Sequence, residues 1–492
     1  MALNNSNGIR AIAVTAAGAL ALTAPVNSLQ AQGTVQSISA KDKQQGATAH
    51  PQLVAEFGGA MTGPQASYVE SVGKNISLQS GLSNARDDFT VTLLNSPVNN
   101  AFAIPGGYVY TTRQLVALMN NEAELAGVLG HEVGHVAARH AAKRQSAATK
   151  NTILGIGLAV LSGAVLGNSG LGGVLQRGLL QGSQLLTLRY SRKQELEADN
   201  LGIAYLRKTK YDPRAMSNVL QSLANQTALE AKLMGSQARV PEWASTHPDP
   251  ASRVKLALTQ AGAGAAGLLN RDTFLSRING LLYGDDPKQG VVEGRKFTHP
   301  EFRMAFEAPA GFYMMNGTRA VAISGQAGKG ELTGAAYSGD LDAYVRTVFG
   351  GLSEANQPKI DPGTISRSTI NGIPVARGFA RVTSNNSQVD VTVVAYEWAK
   401  DRAYHFLTIA PAGGAATFDT MFASMRRISD TEAAAVRPRK LVVVTVKKGD
   451  TVQSLAKQMA YADAPVDRFL VLNGLSSTAT LAAGQKVKVV TY

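Results

Sequence analysis

Hydrophobic residues recur with two different periods in the first third of this chain. Between Tyr68 and Leu78 they recur every three or four positions, which predicts a helix with one buried face. Phe89–Leu94 and Ala101–Thr111 alternate hydrophobic and polar residues, which predicts strands. Asn120–Arg144 returns to helical spacing, and no proline interrupts it. The pattern predicts a mainly helical domain with a small sheet.

Two later stretches have patterns of their own. From Phe297 to about Ala434, short strand-like runs alternate with two helical segments, Asp340–Phe349 and Thr417–Arg427, which predicts an α+β sandwich. The last fifty residues or so read as a strand, two helices and a closing strand. We therefore predict an α+β multidomain protein. Its predicted domains span residues 50–282, 291–434 and 441–492.

The first residues have the pattern of a secretory signal. Arg10 precedes the apolar run Ala11–Ala24, and the sequence around Ala31 suits cleavage. We predict a signal peptide over residues 1–31 and a disordered linker over residues 32–49. The apolar run is too short and too rich in alanine for a membrane-spanning helix, so we expect a periplasmic or secreted protein.

The amino-acid composition limits the kinds of catalysis and binding that this chain can perform. The 492 residues include no cysteine, which excludes thiol catalysis, cysteine metal ligands and disulfides. The formal net charge is +13, which favours anionic partners such as peptidoglycan or a lipid surface. The sequence has no basic arm and no nucleic-acid-binding motif, so we expect no nucleic acid among the partners.

The strongest chemical motif is the run from His131 to His135, which reads His-Glu-Val-Gly-His. Residues four apart lie on one face of a helix, so His131 and His135 can offer two imidazole nitrogens to one metal ion. Glu132 lies about 100° round the helix, where its carboxylate can take a proton from metal-bound water. Glycines at positions 127, 130 and 134 let another backbone approach this helix closely.

A catalytic zinc site takes a third protein ligand and keeps one position open. Glu195 and Asp199 are four residues apart and share a helix face, whereas Glu197 points elsewhere. We expect Glu195 to bind the metal and Asp199 to accept a hydrogen bond from the outer N–H of a ligand histidine. The predicted cofactor is one Zn²⁺ per chain. The alternative is a solvated, charged helix.

Residues 153–175 form an uncharged apolar stretch that is long enough to cross a bilayer. His135 before it and Glu195 after it must meet at one metal ion, so a single crossing is excluded, and two crossings do not fit. We predict an apolar hairpin that acts as a lid or contacts a membrane peripherally. The alternative is a buried helical hairpin.

The two motifs together resemble a known family. His-Glu-x-x-His followed by Ser191-Arg-x-x-Glu-x-x-Ala-Asp199 is similar to the gluzincin-type zinc metallopeptidases that include HtpX, the CAAX prenyl proteases and BepA. The resemblance covers roughly residues 52–262 and implies a zincin-type fold. It implies that His131, His135 and Glu195 bind zinc and that Glu132 is the general base.

The segment before the motif is also similar to this family. Residues 99–110 resemble the strand that precedes the active-site helix, and such a strand can bind an extended peptide by pairing at its edge. The resemblance therefore implies substrate contacts by four residues of this strand: Asn100, Ala101, Phe102 and Ala103.

The segment around His247, together with Arg253, resembles a further signature of the family. His247 is expected to donate a hydrogen bond to the oxyanion during catalysis, or to occupy the open zinc position in a latent state. The alternative is a histidine that packs a loop.

Two resemblances concern the later domains. Residues 441–492 resemble a LysM module, which implies a βααβ fold and binding of peptidoglycan glycans by two loops, Gly449-Asp450-Thr451 and Asn473-Gly474-Leu475. The alternative is a small structural cap. Residues 291–434 are similar to PsbP-type domains, and we expect them to recognise substrate, dock a protein or act as a spacer.

The sequence therefore predicts a periplasmic or secreted zinc endopeptidase that hydrolyses envelope proteins in protein quality control, with zinc-bound water activated by Glu132. The alternative is an envelope chaperone or assembly factor with a mostly latent protease site, anchored to peptidoglycan. A third hypothesis, cleavage of peptidoglycan stem peptides, rests on the terminal module alone.

Overall fold

A computed structural model of the chain describes residues 37–82, 88–143, 190–234, 243, 246–247, 250–264, 266–353, 359–384 and 387–492. The predicted signal peptide and the apolar stretch 153–175 lie outside the described residues. The described part comprises a helical region, a sheet-rich region and a terminal module, in chain order. Within it, no helix is both long enough and apolar enough to cross a bilayer.

The helical region contains a small three-stranded sheet. Its strands are β1 (Thr90–Leu94), β2 (Ala101–Ile104) and β3 (Tyr108–Thr112), in the order β1–β3–β2. Strand β3 pairs parallel to β1 and antiparallel to β2, so β2 lies at one edge. The predicted strand Ala101–Thr111 is therefore a hairpin, because Gly106 and Gly107 adopt positive φ and reverse the chain after Pro105.

The first helix, α1 (Ala40–Glu56), covers one face of this sheet. Ser39 caps it by accepting a hydrogen bond from the backbone N–H of Asp42. Its buried Leu53 lies in one apolar cluster with Phe102, Ile104 and Tyr110. The prediction of a disordered linker over residues 32–49 is therefore wrong from Ala40 onward, where packing on the hairpin stabilises a helix of polar composition.

The other face of the sheet packs on the helix that carries the metal-binding motif. The chain runs through α2 (Pro64–Ser77) and α3 (Arg113–Leu118) into α4 (Glu122–Ala137), which is buried from Glu122 to His135. Asn121 caps α4 by accepting a hydrogen bond of 2.9 Å from the backbone N–H of Glu124.

Helix α5 (Arg192–Lys208) packs on α4 at close range. A Cβ atom on Gly130 would lie 3.4 Å from the Cα of Gly202, so the two backbones approach where neither helix has a side chain. Three further helices complete the helical region: α6 (Ala215–Met234), α7 (Pro250–Ala261) and α8 (Arg271–Ile278). A short strand, β4 (Leu282–Tyr283), leads out of it.

The sheet-rich region contains a small sheet and a large one. The small sheet has the order β15–β7–β6–β5, and its strands are β5 (Val291–Glu293), β6 (Lys296–His299), β7 (Met304–Glu307) and β15 (Arg426–Arg427). The large antiparallel sheet has the order β11–β12–β13–β14–β10–β9–β8. Its strands are β8 (Tyr313–Asn316), β9 (Ala320–Gly325), β10 (Gly328–Ala336), β11 (Ser366–Ile370), β12 (Ile373–Ser384), β13 (Ser387–Ala399) and β14 (Arg402–Pro411).

Each face of the large sheet is packed. Helix α9 (Leu341–Gly350) lies on one face, where Val345 and Phe349 join a buried cluster with β13. The small sheet and α10 (Asp419–Ser424) contribute to the cluster on the other face, and α11 (Asp430–Ala435) follows. The region thus mixes helices and sheets, as predicted.

The terminal module consists of β16 (Arg439–Thr445), α12 (Val452–Ala456), α13 (Pro465–Leu472) and β17 (Lys486–Thr491), the predicted βααβ order. Strand β16 pairs with β17 and also with β4 of the helical region. The buried ammonium of Lys488 donates to the carbonyl oxygens of Ala117, Leu118 and Met119 at 2.8, 3.2 and 2.5 Å. The module is therefore docked on the helical region and shares its apolar core.

Candidate metal centre

Four buried side chains converge between α4 and α5. His131 and His135 come from α4, Glu195 from α5, and His247 precedes α7. One nitrogen or oxygen of each lies within 4.8 Å of those of the others. The Nε2 atoms of His131 and His135 are 3.0 Å apart, and each is 3.5 Å from an oxygen of Glu195. The structure thus brings together the three predicted ligands.

This donor set fits zinc. Imidazole nitrogen and carboxylate oxygen are zinc ligands, and donors in a tetrahedral zinc site lie about 3.3 Å apart, close to the separations found here. Burial lowers the pKa of His135 well below its usual range, which favours the neutral ring that a metal ligand needs. Burial would also lower the pKa of His131, but its hydrogen bonds to Asp199 and Glu195 raise it to about 9, so a metal ion must displace a proton from His131.

The carboxylate predicted to orient a ligand histidine lies beside the ring of His131. Asp199 is 2.9 Å from the Nδ1 atom of His131. Arg253, fully buried, donates to both oxygens of Asp199 at 2.8 and 2.6 Å. Burial alone would raise the pKa of Asp199, but the charge of Arg253 and the hydrogen bonds lower it to about 2. Asp199 therefore stays ionised and holds the ring of His131 through Nδ1.

Arg253 also reaches the third ligand. Its Nη1 donates to Glu195 at 2.6 Å. Burial opposes ionisation of Glu195, but the neighbouring His247, His131 and His135 hold its pKa well below the usual range. The sequence marked Arg253 only as part of a signature, and the structure shows that it links two of the carboxylates at this centre.

Glu132 is fully buried beside the donor set. Both of its carboxylate oxygens lack a hydrogen-bond partner among the described residues, and one is 3.6 Å from the Nε2 atom of His247. Burial raises the pKa of Glu132. A buried carboxylate with free lone pairs and a raised pKa can accept and return a proton at this place.

His247 lies among the donors and also reaches the edge strand. Its Nδ1 is 3.2 Å from both oxygens of Glu195 and 3.3 Å from the Nε2 of His131. Its Nε2 is 3.3 Å from the carbonyl oxygen of Ala101. The ring stacks on Trp243 with the centroids 4.3 Å apart, which fixes its plane.

The four edge-strand residues have different surroundings. Ala101 and Ala103 lie in the core cluster on the α4 side of the sheet, whereas Phe102 packs on the α1 side, with its ring 5.1 Å from that of Phe57. Asn100 is fully buried, and neither atom of its amide has a hydrogen-bond partner in the described part of the chain. The structure thus places Ala101, through its carbonyl, at the centre and Phe102 away from it.

Sequence reasoning missed two residues beside His135. The ring of Tyr190 stacks on the ring of His135 at 3.8 Å. The Nδ1 of His140, which is fully buried, lies 2.8 Å from the Nδ1 of His135. Glu197, expected to point elsewhere, does point away from the donors, but its carboxylate is 3.3 Å from the Nε2 of His140. A histidine five residues after the motif was the only signal.

The six predicted glycan-binding residues lie in the terminal module, apart from this centre. Gly449 and Thr451 are exposed, and Thr451 caps α12 by accepting from the N–H of Ser454. Asn473 is buried instead, because its side chain exchanges hydrogen bonds with the backbone of Lys488. The Asp450 side chain accepts from a backbone N–H, and Gly474 and Leu475 follow Asn473 at the end of α13.

Comparison with known proteins agrees with this geometry. Residues 64–261 match the model of peptidase family M48, and residues 444–490 match that of the LysM domain. A β-barrel assembly-enhancing protease of Yersinia pestis is 34% identical over 200 residues, which cover 39% of this chain and 38% of that protein. The mitochondrial metalloendopeptidase OMA1 of Schizosaccharomyces pombe is 31% identical over 217 residues, covering 44% of this chain and 59% of that protein.

OMA1 of Arabidopsis thaliana is 35% identical over 173 residues, which cover 35% of this chain and 31% of that protein. The chain thus spans less than two thirds of the length of each of these relatives. The matched sequence contains the whole α4–α5 centre, and the relatives named here are proteases or metalloendopeptidases. The chain carries a metallopeptidase domain of peptidase family M48, followed later by a LysM domain.

Proposed function

We propose that this chain is a zinc-dependent endopeptidase of the periplasm or the secreted space, which hydrolyses proteins of the cell envelope. The observation that carries the proposal is the buried carboxylate of Glu132, which has no hydrogen-bond partner among the described residues and lies next to the His131, His135 and Glu195 donors. A general base beside a metal donor set is the arrangement that peptide hydrolysis by a metallopeptidase requires.

His131, His135 and Glu195 would hold the zinc ion. When bound, zinc supplies a Lewis acid that polarises the scissile carbonyl and acidifies water. Glu132 takes the proton of the attacking water and returns it to the amine that leaves. Burial raises the pKa of Glu132, which makes its carboxylate a better base for the first of these steps.

The substrate would lie along β2, the edge strand, as an added strand. The carbonyl of Ala101, and the amide of Asn100 just before it, which has no hydrogen-bond partner in the described part of the chain, are polar groups at the start of that strand. The name of the Yersinia relative refers to β-barrel assembly, so we propose strand-rich envelope proteins as the substrate class.

The other regions of the chain would determine where in the cell envelope the enzyme acts. We propose that the LysM domain binds peptidoglycan through its Gly449–Thr451 and Asn473–Leu475 loops, that the region 291–434, of PsbP-like type, docks clients, and that residues 153–175 contact a membrane peripherally. The predicted signal peptide and the LysM domain agree with a location in the envelope.

The test is zinc content and casein cleavage of the chain from Gln32. The wild type should hold one zinc per chain and cleave. Glu195→Ala should lose both. Glu132→Gln should keep zinc and lose cleavage by about 10²–10⁴-fold, the range for a removed general base. A cleaving, metal-pure Glu132→Gln variant would disprove the mechanism, and a wild type without zinc would disprove the metal site.

One observation favours a second function, an assembly factor whose protease site is mostly latent. The Nδ1 of His247 lies among the donors, where it can take the open metal position. His247→Ala separates the two roles. Cleavage should rise if His247 blocks the site and fall if it assists catalysis. Retention of unfolded envelope proteins by Glu132→Gln would be expected of an assembly factor, and failure to retain any would count against that function.

A further inference from the structure

The two ligand histidines of α4 have unlike partners at their outer nitrogens. His131 faces Asp199, a carboxylate that Arg253 holds in place. The outer nitrogen of His135 faces another imidazole, that of His140, at 2.8 Å. Behind His140 lies Glu197, whose side chain is 46% exposed, so this second arrangement leads towards solvent.

The direction of these hydrogen bonds follows from the ligand role of His135. Its Nε2 faces Glu195 and His131, so in a neutral ring that binds metal through Nε2 the proton is on Nδ1. The Nδ1–H must then donate to the Nδ1 of His140, which is left without a proton. The proton of His140 is therefore on Nε2, where the carboxylate of Glu197 can accept it at 3.3 Å.

The backbone at the end of α4 places His140 at this position. Arg139 follows the last turn of the helix with φ 55°, in the left-handed region that non-glycine residues rarely adopt. Its N–H donates to the carbonyl of Val136, and the chain then turns so that His140 lies beneath His135. A strained residue next to a buried histidine indicates that the position of the histidine matters.

We propose that His140 is a positioning residue of the metal centre, which holds His135 in its metal-binding tautomer and orientation through the relay His135–His140–Glu197. This inference rests on the proposed zinc site and adds to it a partner for the second ligand. His140 is not one of the four converging donors, and it acts only through His135. Such outer partners typically change metal affinity by 10–100-fold.

The experiment measures zinc affinity by competition with a chromophoric chelator, on the chain from Gln32. His140→Leu removes the acceptor but fills the space, and it should weaken zinc binding about 10–100-fold. His140→Asn supplies an amide oxygen near the position of Nδ1 and should restore most of the affinity. Glu197→Gln should have a smaller effect than His140→Leu, because its side chain is partly exposed.

A second readout is the visible absorption of the Co²⁺-loaded protein, which reports ligand geometry. His140→Leu should alter the bands, and His140→Asn should restore them, whereas a packing role alone would depend on side-chain volume and not on the acceptor. If His140→Leu does not fold, the zinc affinities and Co²⁺ spectra of His140→Asn and Glu197→Gln still test the relay.

Three results would overturn the relay. The first is a wild-type zinc affinity and Co²⁺ spectrum in His140→Leu. The second is an equal loss of zinc affinity in His140→Leu and His140→Asn, and the third is a Co²⁺ spectrum altered in His140→Asn. A wild type that binds no zinc would overturn the proposed function as well. Zinc-loaded wild type with an inert His140 would overturn the relay alone.

Discussion

At the scale of single residues, the most consequential side chain outside the ligand set is Arg253. It is buried, and it donates to Asp199 and Glu195 from one guanidinium group. Two carboxylates in a dry site repel each other, so the planar, permanently charged fork of Arg253 permits both to stay ionised. A lysine could not reach both with the same geometry.

Removing this charge should therefore be costly. We expect Arg253→Leu to lower the free energy of unfolding of the metal-free protein by about 3–5 kcal/mol, because buried carboxylates lose their partner. Arg346→Leu is the control, since Arg346 pairs with Asp361 where both side chains are more than half exposed, and its loss should cost less than about 1 kcal/mol. Urea unfolding measures both. Equal, small losses would show that the carboxylates do not depend on Arg253.

Much of the candidate site was predictable from the sequence because its ligands lie at fixed spacings on two helices. His131 and His135 share a helix face whatever surrounds them, and so do Glu195 and Asp199. The contacts of His140 and Arg253 depend on where the chain returns after a helix ends. No local period encodes that return, so these contacts could not be read from the sequence.

At the scale of elements, the metal centre depends on how closely α5 approaches α4. A Cβ on Gly202 would meet the Met216 Cε at 2.6 Å and the His131 backbone N at 3.1 Å. The Met216 methyl group can move aside, but the backbone of α4 is also close, so a side chain at position 202 would push α5 away from α4 and carry Glu195 with it.

A larger residue at position 202 should separate the ligands. We expect Gly202→Leu to weaken zinc binding by at least about tenfold, because α5 must shift to relieve the overpacking and carries Glu195 with it. Gly264→Leu is the control, since a Cβ there would meet no described atom within 4 Å. Chelator competition measures both variants. An unchanged zinc affinity in Gly202→Leu would mean that the close contact between α4 and α5 does not set the position of Glu195.

The elements that the sequence did not predict are those whose packing partners are distant in the chain. Helix α1 buries few residues, among them Gly46 and Leu53, so its composition reads as polar linker. Its stability comes from the hairpin it covers, where a side chain at Gly46 would collide with the Pro105 carbonyl and the Tyr108 ring. The strands of the large sheet, in contrast, were visible as short strand-like runs, and the central strands β13 and β14 are buried along most of their length.

At the scale of the whole molecule, the LysM domain is part of the structure that supports the metal centre. Phe469 and Leu472 of α13 belong to the same buried cluster as Leu115 and Leu118 of α3, immediately before α4. The buried side chain of Lys488 donates to the carbonyls at the end of α3, where a helix leaves its last carbonyl groups without intrahelical partners.

A defect in the LysM core should consequently be felt in α4. We expect Phe469→Ala to destabilise the protein by about 3–5 kcal/mol, the range for a large core truncation. Amide hydrogens of α4 should then exchange faster, as measured by mass spectrometry. Lys457→Ala, at an exposed position of the same domain, should leave the exchange unchanged. Protection of α4 that persists in Phe469→Ala would show that the two regions unfold independently.

If the LysM domain binds peptidoglycan as proposed, its docking also determines how far the enzyme can move from the binding point. A binding module on a flexible linker allows its enzyme to sweep a sphere whose radius grows with the square root of linker length. Here the strand pairing of β16 with β4 and the shared core remove that freedom. With a glycan strand held at the LysM loops, the metal centre would stand at one height and one angle above the cell wall. The enzyme would then cut only substrate proteins that come to this fixed position. The distance of that position from the cell wall, and not diffusion of the enzyme, would limit which substrates it meets.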